Sequence, residues 1–505
     1  MPKFRFFLMG QYDFTPKKEE NSMVEVKQFL KNKFKTDVIE NQQEQGMWLS
    51  WYQNTNFWRK YKVMLPNRKR TKKEMTRNTL NSCKRVCEDW ANLLLNEKTD
   101  IVVNTKKDEN NNGENKNTLN DELHQVLIQN DFWTFGNKAI EKVYALGGGA
   151  FVVGKNDKGN VNIEFVDATR CYIMKCNSSD VIDCAFENTI AIKGKEYTIL
   201  NAHIQQEDET YIIYNFLFDD DGNELNAMQM KEMLNVESEV PSPQKTFSFI
   251  TPQNLSAKNW DSPFADSVFA KAIDANKMVD LVFDSYCNEY IYGKKRIFVA
   301  TELLTYEKTV DGNGKGNVER IPVFDENEVV FNILPENGDD TTMIKEVNME
   351  LRTEAHQKGI QDALNYFASL CGLGEKYYKY EQGNITTATQ VVSENSTLFR
   401  NIQKQQIAIE KCLQEVCIAI LGLLEKDISQ VKEIAINFDD SIIQDKEAER
   451  KQDMTDVNNG IMSKAEYRAK WYGETVEVAQ TAINAIEGAE IEKELKKQQN
   501  QGILI

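Results

Sequence analysis

Histidine and the common catalytic motifs are scarce in this chain of 505 residues. Its three histidines, His124, His203 and His356, lie far apart in the sequence. It contains no Walker-type phosphate loop, HExxH metal motif or GxSxG nucleophile elbow. Carboxylates are so numerous that no pair of them is informative by spacing alone. The sequence therefore lowers the expectation of an enzyme without removing it, and it predicts no catalytic residues, no metal site and no cofactor.

The chain also lacks the features of secreted and membrane proteins. Its nine cysteines follow no regular framework, which predicts reduced thiols in a cytosol rather than a disulfide scaffold. Its start shows no signal-peptide pattern, and no run of about 18 apolar residues suggests a transmembrane helix. We therefore expect a protein made in a cytosol, with no membrane span.

A surplus of positive charge is missing as well. The chain has 61 basic and 78 acidic residues, which give a formal net charge of −17. Proteins that grip nucleic acid neutralise its phosphates with a basic surface, so this composition argues against tight nucleic-acid binding. It does not exclude a protein that surrounds DNA without holding it.

Prolines are few, and the longest helical patterns lie between Gly359 and Glu425, where two of them flank a short segment rich in Gly and Tyr. In the second pattern, apolar residues recur every three or four positions, as on one face of an α-helix. They are Val391, Val392, Leu398, Phe399, Ile402, Ile409, Leu413, Val416, Cys417, Ile420 and Leu424. A helix from Thr386 to Glu425 would reach roughly 60 Å at about 1.5 Å per residue. Such a rod suits a large assembly better than a compact monomer.

Helical and strand patterns alternate along the rest of the chain and predict an α+β fold. Residues 150–250 contain six segments rich in β-branched and aromatic residues, so we expect strands there. Helices are expected at residues 20–40, 76–97, 120–146, 263–292 and 347–372, and a charged helical tail at the end of the chain. The helices at 263–292 and 347–372 bracket a small strand-rich insert. If they pair antiparallel, they form a stalk with the insert at its tip.

Some local patterns resemble ligand sites but are better explained by structure. The glycines at 147–149 follow a helix, whereas a phosphate loop needs glycines before one, so we predict a helix C-cap and turn. The glycine-rich run at 311–316 departs from a calcium loop at Lys315 and Pro322, which leaves a flexible turn. Cys83 and Cys87 have no further metal ligands nearby, so we expect them in a core.

Aromatic residues beside a basic run leave two interpretations open. The aromatic residues are Trp48, Trp51, Tyr52, Phe57, Trp58 and Tyr61, and the basic residues are Arg68, Lys69, Arg70, Lys72 and Lys73. Such a mixture can bind single-stranded nucleic acid by stacking. Alternatively, the aromatic side chains pack in a core and the charged residues form a solvated turn. We favour the second interpretation, because no known fold motif accompanies the mixture.

Four blocks of sequence, in order along most of the chain, resemble the portal proteins of tailed bacteriophages of the long-tailed type. They are VCEDWANLLLNE at 86–97, DSPFADSVFAKAIDANKMVDLVFDSYCNEYIYGKKRIFV at 261–299, GNITTATQVVSENSTLFRNIQKQQIAIE at 383–410, and NFDDSIIQDKEAERKQ at 437–452 with GIMSKAEYRAKWYG at 460–473. No single block is as specific as a metal-finger spacing. The ordered set carries the resemblance.

The resemblance implies an α+β portal fold with long helices, a β-rich wing, a two-helix stem and a small α/β clip. The implied domains are the wing at 1–262, stem helices at 263–292 and 347–372, the clip at 293–346, a tunnel loop at 373–386, a long wing helix at 387–425 and the crown at 426–505.

The resemblance also implies a function and partners. Portal subunits are made in the host cytoplasm and form a ring, usually of twelve, at one capsid vertex of the virion. Double-stranded DNA enters through this channel during packaging and leaves through it during ejection. The clip would meet the terminase packaging motor and later the head–tail adaptor, and the ring would contact the major capsid and scaffold proteins. The ATPase would belong to the motor, in line with the missing phosphate loop.

The implied tunnel loop contains the candidate DNA contacts. They are Lys376, Tyr377, Tyr378, Lys379, Tyr380 and Asn384. A mostly acidic wall would repel phosphates and keep the DNA centred, while a few basic or polar groups at the constriction touch its backbone. The alternative is an ordinary loop between helices with solvated lysines.

Two other functions remain open. One is a different structural head or connector protein, although the order of helix, insert and helix argues against it. The other is an intracellular enzyme whose site is assembled from scattered acidic residues, and Mg²⁺-dependent activity of a purified monomer would favour it.

Overall fold

The computed structural model describes residues 21–64, 72–105, 118–156, 158–177, 180–300, 305–310, 316–321, 331–334, 344–375, 377–378, 388–438, 446–472 and 478–486. The basic residues Arg68, Lys69 and Arg70 and positions 311–315 of the glycine-rich run lie outside this part. The chain divides into two compact units. The first holds Met1–Glu97, Ile101–Glu381 and Asn401–Ile436, and the second holds Lys98–Asp100, Gln382–Arg400 and Asn437–Ile505.

Helices and strands are interspersed along the chain, which confirms the α+β class. The helices are α1 (Asn21–Phe34), α2 (Gln42–Tyr52), α3 (Ser82–Leu94), α4 (Thr118–Gln129), α5 (Phe132–Leu146), α6 (Ala227–Leu234), α7 (Ile273–Tyr292), α8 (Thr353–Leu370), α9 (Ala388–Leu423), α10 (Lys446–Asn458) and α11 (Lys464–Tyr472). Residues 478–486 are also helical. No helix in the described part of the chain is both long and apolar enough to cross a lipid bilayer.

The strands form small sheets. They are β1 (Lys60–Met64), β2 (Lys72–Thr76), β3 (Asp100–Thr105), β4 (Gly149–Lys155), β5 (Val161–Asp167), β6 (Cys171–Asn177), β7 (Asp180–Ile192), β8 (Lys195–Gln205), β9 (Tyr211–Phe218), β10 (Glu239–Ser242), β11 (Phe247–Ile250), β12 (Arg296–Ala300), β13 (Thr305–Val310), β14 (Gly316–Ile321), β15 (Phe331–Leu334), β16 (Ile344–Val347) and β17 (Val431–Asn437).

The strands predicted between residues 150 and 250 are confirmed as β4 to β9. An antiparallel sheet has the order β10-β9-β8-β7-β6, and a smaller one has the order β11-β4-β5. One face of the larger sheet packs on α1, where Leu30 is fully buried against Tyr172, Leu200 and Phe216. Alternate residues of an antiparallel strand face one side, so the β-branched and aromatic patterns of these segments indicate their buried faces.

The glycines at 147–149 end a helix, as predicted. Gly147 caps α5 with φ 76°, a left-handed conformation that glycine adopts without steric cost. The predicted helix at 120–146, however, is two helices. Asp131, at φ 47°, separates α4 from α5. Periodicity alone does not reveal such a break, because apolar residues on both sides keep the helical spacing.

The predicted helix pair around an insert is present, with different starting points. The end of α7 meets the start of α8, because the guanidinium of Arg352 donates to Glu289 at 2.8 Å and His356 lies 3.5 Å from the same carboxylate. The helices therefore run antiparallel. Within the insert, the first strand after α7 pairs with the last strand before α8. These strands are β12 and β16, and their pairing begins with Arg296 opposite Val347.

Both helices of this pair begin later than the sequence suggests. The predicted start at residue 263 is wrong, because α7 begins at Ile273. The backbone before it donates to the end of α5, from Ala265 to Gly147 and from Val268 to Tyr144. The predicted start at residue 347 is also wrong, because that residue closes β16 and α8 begins at Thr353. In both places the apolar residues pack in the core or lie in a strand, and they do not belong to a helix.

The predicted long helix is confirmed as α9, which has 36 residues. At about 1.5 Å per residue it extends roughly 54 Å. Its apolar stripe is buried from residue 398 onward, at Leu398, Ile402, Ile409, Leu413, Val416, Cys417 and Ile420. Lengthwise burial of one face explains why so long a helix forms.

The second unit contains a small helical hairpin of α10 and α11. Ser463 and Glu466 form a capping box, in which the amide of each residue donates to the side chain of the other. The carboxylate of Asp453 accepts from Trp471 Nε1 at 2.9 Å and pairs with Lys470 at 2.6 Å. These contacts join the two helices.

We expect Gly147→Ala to destabilise the first unit by about 2 kcal/mol or more, since an added Cβ would lie 2.1 Å from the carbonyl oxygen of Ala265. Gly159→Ala is the matched control, because Gly159 also has positive φ but nothing within 4 Å of the added Cβ. The control should cost about 1 kcal/mol, from backbone strain alone. Urea unfolding of both variants measures the difference, and equal losses would contradict the close contact.

A buried carboxylate on α7 makes stability depend on pH. Asp280 is 2% exposed and accepts from Asn276 Nδ2 at 3.3 Å. Burial raises the pKa of Asp280 from 3.8 to about 7, against the opposing effect of the nearby Arg77. The folded state therefore retains this proton to a higher pH than the unfolded state. The contribution of Asp280 to the unfolding free energy falls as the pH rises from 3.8 to about 7.

Asp280→Asn should remove this pH dependence. Relative to the parent, the variant should gain roughly 1–3 kcal/mol of stability between about pH 5 and about pH 8. Asp274→Asn is the control, because its side chain is 93% exposed on the same helix. Denaturant unfolding at both pH values checks the prediction, and parallel pH profiles for parent and Asp280→Asn would refute it.

Candidate functional site

The candidate loop residues lie just after α8, and the structure describes two of the six. Tyr377 and Tyr378 are both partly buried. Lys376, Lys379, Tyr380 and Asn384 lie outside the described residues, so their contact with DNA stays a prediction.

The turn after α8 depends on glycine. Gly372 and Gly374 have φ of 84° and 91°, which are left-handed conformations. The amide of Leu373 donates to the carbonyl of Ala368 at 3.0 Å, which closes the helix end. Cys371 and Leu373 are buried beside these glycines. The Gly-rich sequence therefore ends α8 sharply and turns the chain toward the two tyrosines.

Two other helices hold the backbone of this turn. Trp90 of α3 donates its indole N–H to the carbonyl of Cys371 at 3.1 Å. Asn401 of α9 donates to the carbonyl of Gly372 at 2.7 Å. The carbonyl of Cys371, the C-cap of α8, is one of the orphan groups of a helix end, which need such partners when they are buried, and Gly372 follows directly. The start of the loop is therefore fixed to α3 and α9.

Trp90 is itself held by packing. Its ring is 2% exposed and stacks on Tyr144 of α5, with ring centres 5.7 Å apart and planes at 17°. The hydroxyl of Tyr144 donates to Gln405 of α9 at 2.8 Å, and the same oxygen of Gln405 accepts from the amide of Gln253. The indole that anchors the loop thus belongs to a buried network across α3, α5 and α9.

Tyr378 forms hydrogen bonds with residues of α3 and α8. Its hydroxyl donates to Asp89 at 2.8 Å, and its carbonyl accepts from Gln361 of α8 at 2.7 Å. The ring of Tyr377 stands at 90° to that of Tyr378, with centres 5.0 Å apart. Side chain and backbone of Tyr378 are both held, so this residue is the last anchored point of the described loop.

The charges around Tyr378 keep its hydroxyl a donor. Burial and the neighbouring Asp89 carboxylate raise the pKa of Tyr378 far above its usual range, and burial raises the pKa of Tyr377 to about 12. Burial also raises the pKa of Asp89, while Tyr378 and Arg85 oppose that effect. Arg85 Nε lies 3.1 Å from Asp89. At neutral pH both tyrosines therefore remain protonated.

A cleft of about 700 Å³ opens beside the two tyrosines. Its lining includes Leu80, Asn81, Ser82, Lys84, Arg85, Glu88, Leu364, Tyr377 and Tyr378. Lys84 bonds to Glu88 within α3 and lies 3.4 Å from Glu141, so much of the positive charge at this cleft is balanced inside the chain. The lining of the cleft combines polar and charged residues with the two tyrosines.

Sequence reasoning missed the residues that anchor the loop. Asp89, Trp90, Gln361 and Asn401 come from three helices that are distant along the chain. Trp90 lies in a predicted helix and in one of the four blocks that carry the resemblance. Nothing in that pattern shows that its indole N–H caps another helix. The available signal was only that glycines and tyrosines follow a helix end.

The structure also places two of the histidines and the cysteine pair. His203 is fully buried and burial lowers its pKa to about 3, whereas His124 contacts the carbonyl of Ile101 at 2.8 Å. Cys83 and Cys87 are buried in α3, as expected. Among the described residues, no three His, Cys, Asp or Glu side chains are placed to hold a metal ion.

The aromatic residues before the basic run differ in burial. Trp48 and Trp51 are each 2% exposed, which confirms core packing for them, whereas Tyr52, Trp58 and Tyr61 are only partly buried and Phe57 is 74% exposed. Lys72 and Lys73 lie on the exposed strand β2.

A family model described as "Phage portal protein, SPP1 Gp6-like" matches residues 29–501. Among curated proteins, none matches the chain.

We expect Tyr378→Phe to loosen the start of the loop. The variant leaves the buried Asp89 without its hydroxyl donor, at a cost of about 1–3 kcal/mol in local stability. Hydrogen exchange of residues 371–378 should become faster. Tyr377→Phe, which removes a hydroxyl from the adjacent ring, is the control and should change this exchange less. Equal exchange in Tyr378→Phe and the parent would show that the Asp89 contact does not hold the loop.

Proposed function

Because this chain belongs to the SPP1 Gp6-like family of phage portal proteins, we propose that it forms a ring of twelve subunits whose central channel passes double-stranded DNA. Family membership gives the chain a structural role in the phage capsid. The direction of travel would be inward during packaging and outward during ejection.

One observation supports the channel assignment most strongly. An antiparallel helix pair, α7 and α8, brackets an insert of strands and leads directly into an anchored turn and then a long helix. In this order, the helix pair corresponds to the stem, the insert to the clip, and the residues after the turn to the tunnel loop. Since Trp90, Asn401 and Gln361 hold the turn, the loop would emerge from a fixed point toward the channel.

The remaining segments fit the other proposed domains. The strand-rich region before α7, together with α9, would form the wing, and the residues after α9 the crown. The clip would bind the terminase packaging motor during filling and the head–tail adaptor afterwards. Major capsid and scaffold proteins would contact the outside of the ring. We propose no catalytic role, since the ATPase would belong to the motor.

The charge of the chain suits passage rather than binding of DNA. A formal charge of −17 per subunit repels phosphates, so DNA would be kept away from most of the wall. Lys376 and Lys379 are the proposed backbone contacts, with Tyr377, Tyr378, Tyr380 and Asn384 beside them. A few such contacts at a constriction could guide DNA without trapping it.

Particle mass and shape test the ring. Light scattering on a sizing column followed by negative-stain imaging should show rings of about twelve subunits with a central hole. A monomer that stays single even with capsid and scaffold proteins present would refute the proposal. Rings with a different subunit number would correct the proposed stoichiometry, and the channel proposal would still stand.

Lys376→Glu with Lys379→Glu should leave ring assembly unchanged and lower the amount of DNA packaged, by about tenfold. The reason is that two carboxylates would replace the proposed phosphate contacts at the constriction. Lys158→Glu with Lys195→Glu makes the same charge change at exposed positions elsewhere in the wing and should package normally. Normal packaging by the loop variant would remove the two lysines from the mechanism.

A further inference from the structure

The hairpin of β1 and β2 is exposed on both faces. Its strands pair antiparallel from Lys60 opposite Thr76 to Met64 opposite Lys72. No residue in either strand is buried, and only Tyr61 and Met75, which face each other across the strands, are partly covered. A two-stranded hairpin is marginally stable without a surface to pack on. This hairpin therefore lacks such a surface in its own chain, as far as the described residues show.

The base of the hairpin is nevertheless held by several contacts of Arg77. Arg77 follows β2, and its guanidinium lies 3.8 Å from the ring centre of Trp58 and 4.8 Å from that of Tyr61. The same side chain donates to the carbonyl of Trp58, and the amide of Arg77 donates to the carbonyl of Arg59 at 2.8 Å. These contacts fix the base of the hairpin. The two strands extend from it and remain exposed.

The register gives the hairpin two different faces. Side chains alternate along a strand, so Lys60, Lys62 and Lys72 share one face with Glu74, Thr76 and Met64. Lys60 pairs with Glu74 at 3.4 Å, and Met64 is 55% exposed. Tyr61, Val63 and Met75 share the opposite face with Lys73. The first face therefore holds three of the four lysines of the hairpin beside one apolar residue, and the second is mainly apolar, with Val63 41% exposed.

The charge of this element is opposite to that of the chain. In the two strands the basic residues are Lys60, Lys62, Lys72 and Lys73, and the acidic one is Glu74. Four positive charges and one negative give +3, within a chain of net charge −17. The rest of the same protein is thus the kind of acidic surface that would attract this hairpin.

The apolar face favours a protein partner over DNA. A phosphate backbone would satisfy the lysines but would offer nothing to cover Tyr61, Val63 and Met75. A protein surface with acidic residues around an apolar area matches both faces.

We propose that the β1–β2 hairpin docks on an acidic surface of a second copy of this chain. The inference rests on the proposed ring, where each subunit must present two different complementary surfaces to its two neighbours. The hairpin is one of these surfaces. Its lysines pair with carboxylates of the neighbour, and its apolar face packs on an apolar area of the same surface.

Charge reversal on β2 tests this docking. Lys72→Glu with Lys73→Glu avoids placing a new carboxylate directly opposite Glu74, since these residues face Met64 and Val63. We expect self-association of this variant to weaken at least about tenfold, measured by light scattering over a range of concentrations. Lys158→Glu with Lys195→Glu is the matched control and should assemble as the parent does. Circular dichroism and thermal unfolding confirm that each variant is folded.

Zero-length carbodiimide coupling locates the contact in the parent protein. An equal mixture of ¹⁴N- and ¹⁵N-labelled chains distinguishes coupling between copies from coupling within one. We expect mixed-isotope links from Lys60, Lys62, Lys72 or Lys73 to Asp or Glu side chains, and they should decrease at about 1 M salt, where the screening length is about 3 Å.

Each outcome has a defined meaning. Parent-like assembly of the Lys72→Glu, Lys73→Glu variant, or links only within single chains, would overturn the docking inference even if rings form. Intact assembly with lost binding of a double-stranded DNA fragment would assign the hairpin to DNA instead. If the parent forms open filaments that the variant dissolves, the closed ring is wrong but the hairpin contact stands. A parent that never self-associates refutes both.

Discussion

The indole of Trp90 is the contact on which the candidate site depends. It donates to the carbonyl at the end of α8, stacks on Tyr144, and through that residue is connected to Gln405 of α9. Three helices that are far apart in sequence thereby fix one turn. Because the ring is buried, loss of this contact would leave a carbonyl without a partner as well as a cavity. This network therefore holds the start of the loop that follows α8.

A fixed turn would matter for the proposed channel, which must not bind DNA tightly. A net charge of −17 per subunit would repel DNA from most of the proposed channel wall, so the guiding contacts have to be presented at a defined place. The hydrogen bonds of Tyr378 to Asp89 and Gln361 hold the loop up to that residue. The same charge argument applies between subunits. A chain of net charge −17 repels its own copies, and a basic hairpin offers a local attraction against that repulsion.

Much of the architecture was predictable from sequence because it depends on local periodicity. The apolar stripe of α9, the strands from β4 to β9 and the glycine cap of α5 follow from spacing or from one residue type. Helix starts were less predictable, because Phe264 and Phe269 are apolar for packing rather than for a helix. The break at Asp131 leaves the helical spacing intact on both sides. The anchors of the loop were not predictable, since a hydrogen bond from Trp90 to Cys371 joins positions that only the fold brings together.

The most direct test of the account is a cryo-electron microscopy map of the assembled particle, in which α7, α8 and the following loop can be placed. The account predicts a ring whose central channel is lined by these two helices and narrowed by the loop around residues 373–386. A map whose channel is lined instead by the strand-rich region of β4 to β9, with α7 and α8 on the outside, would contradict it.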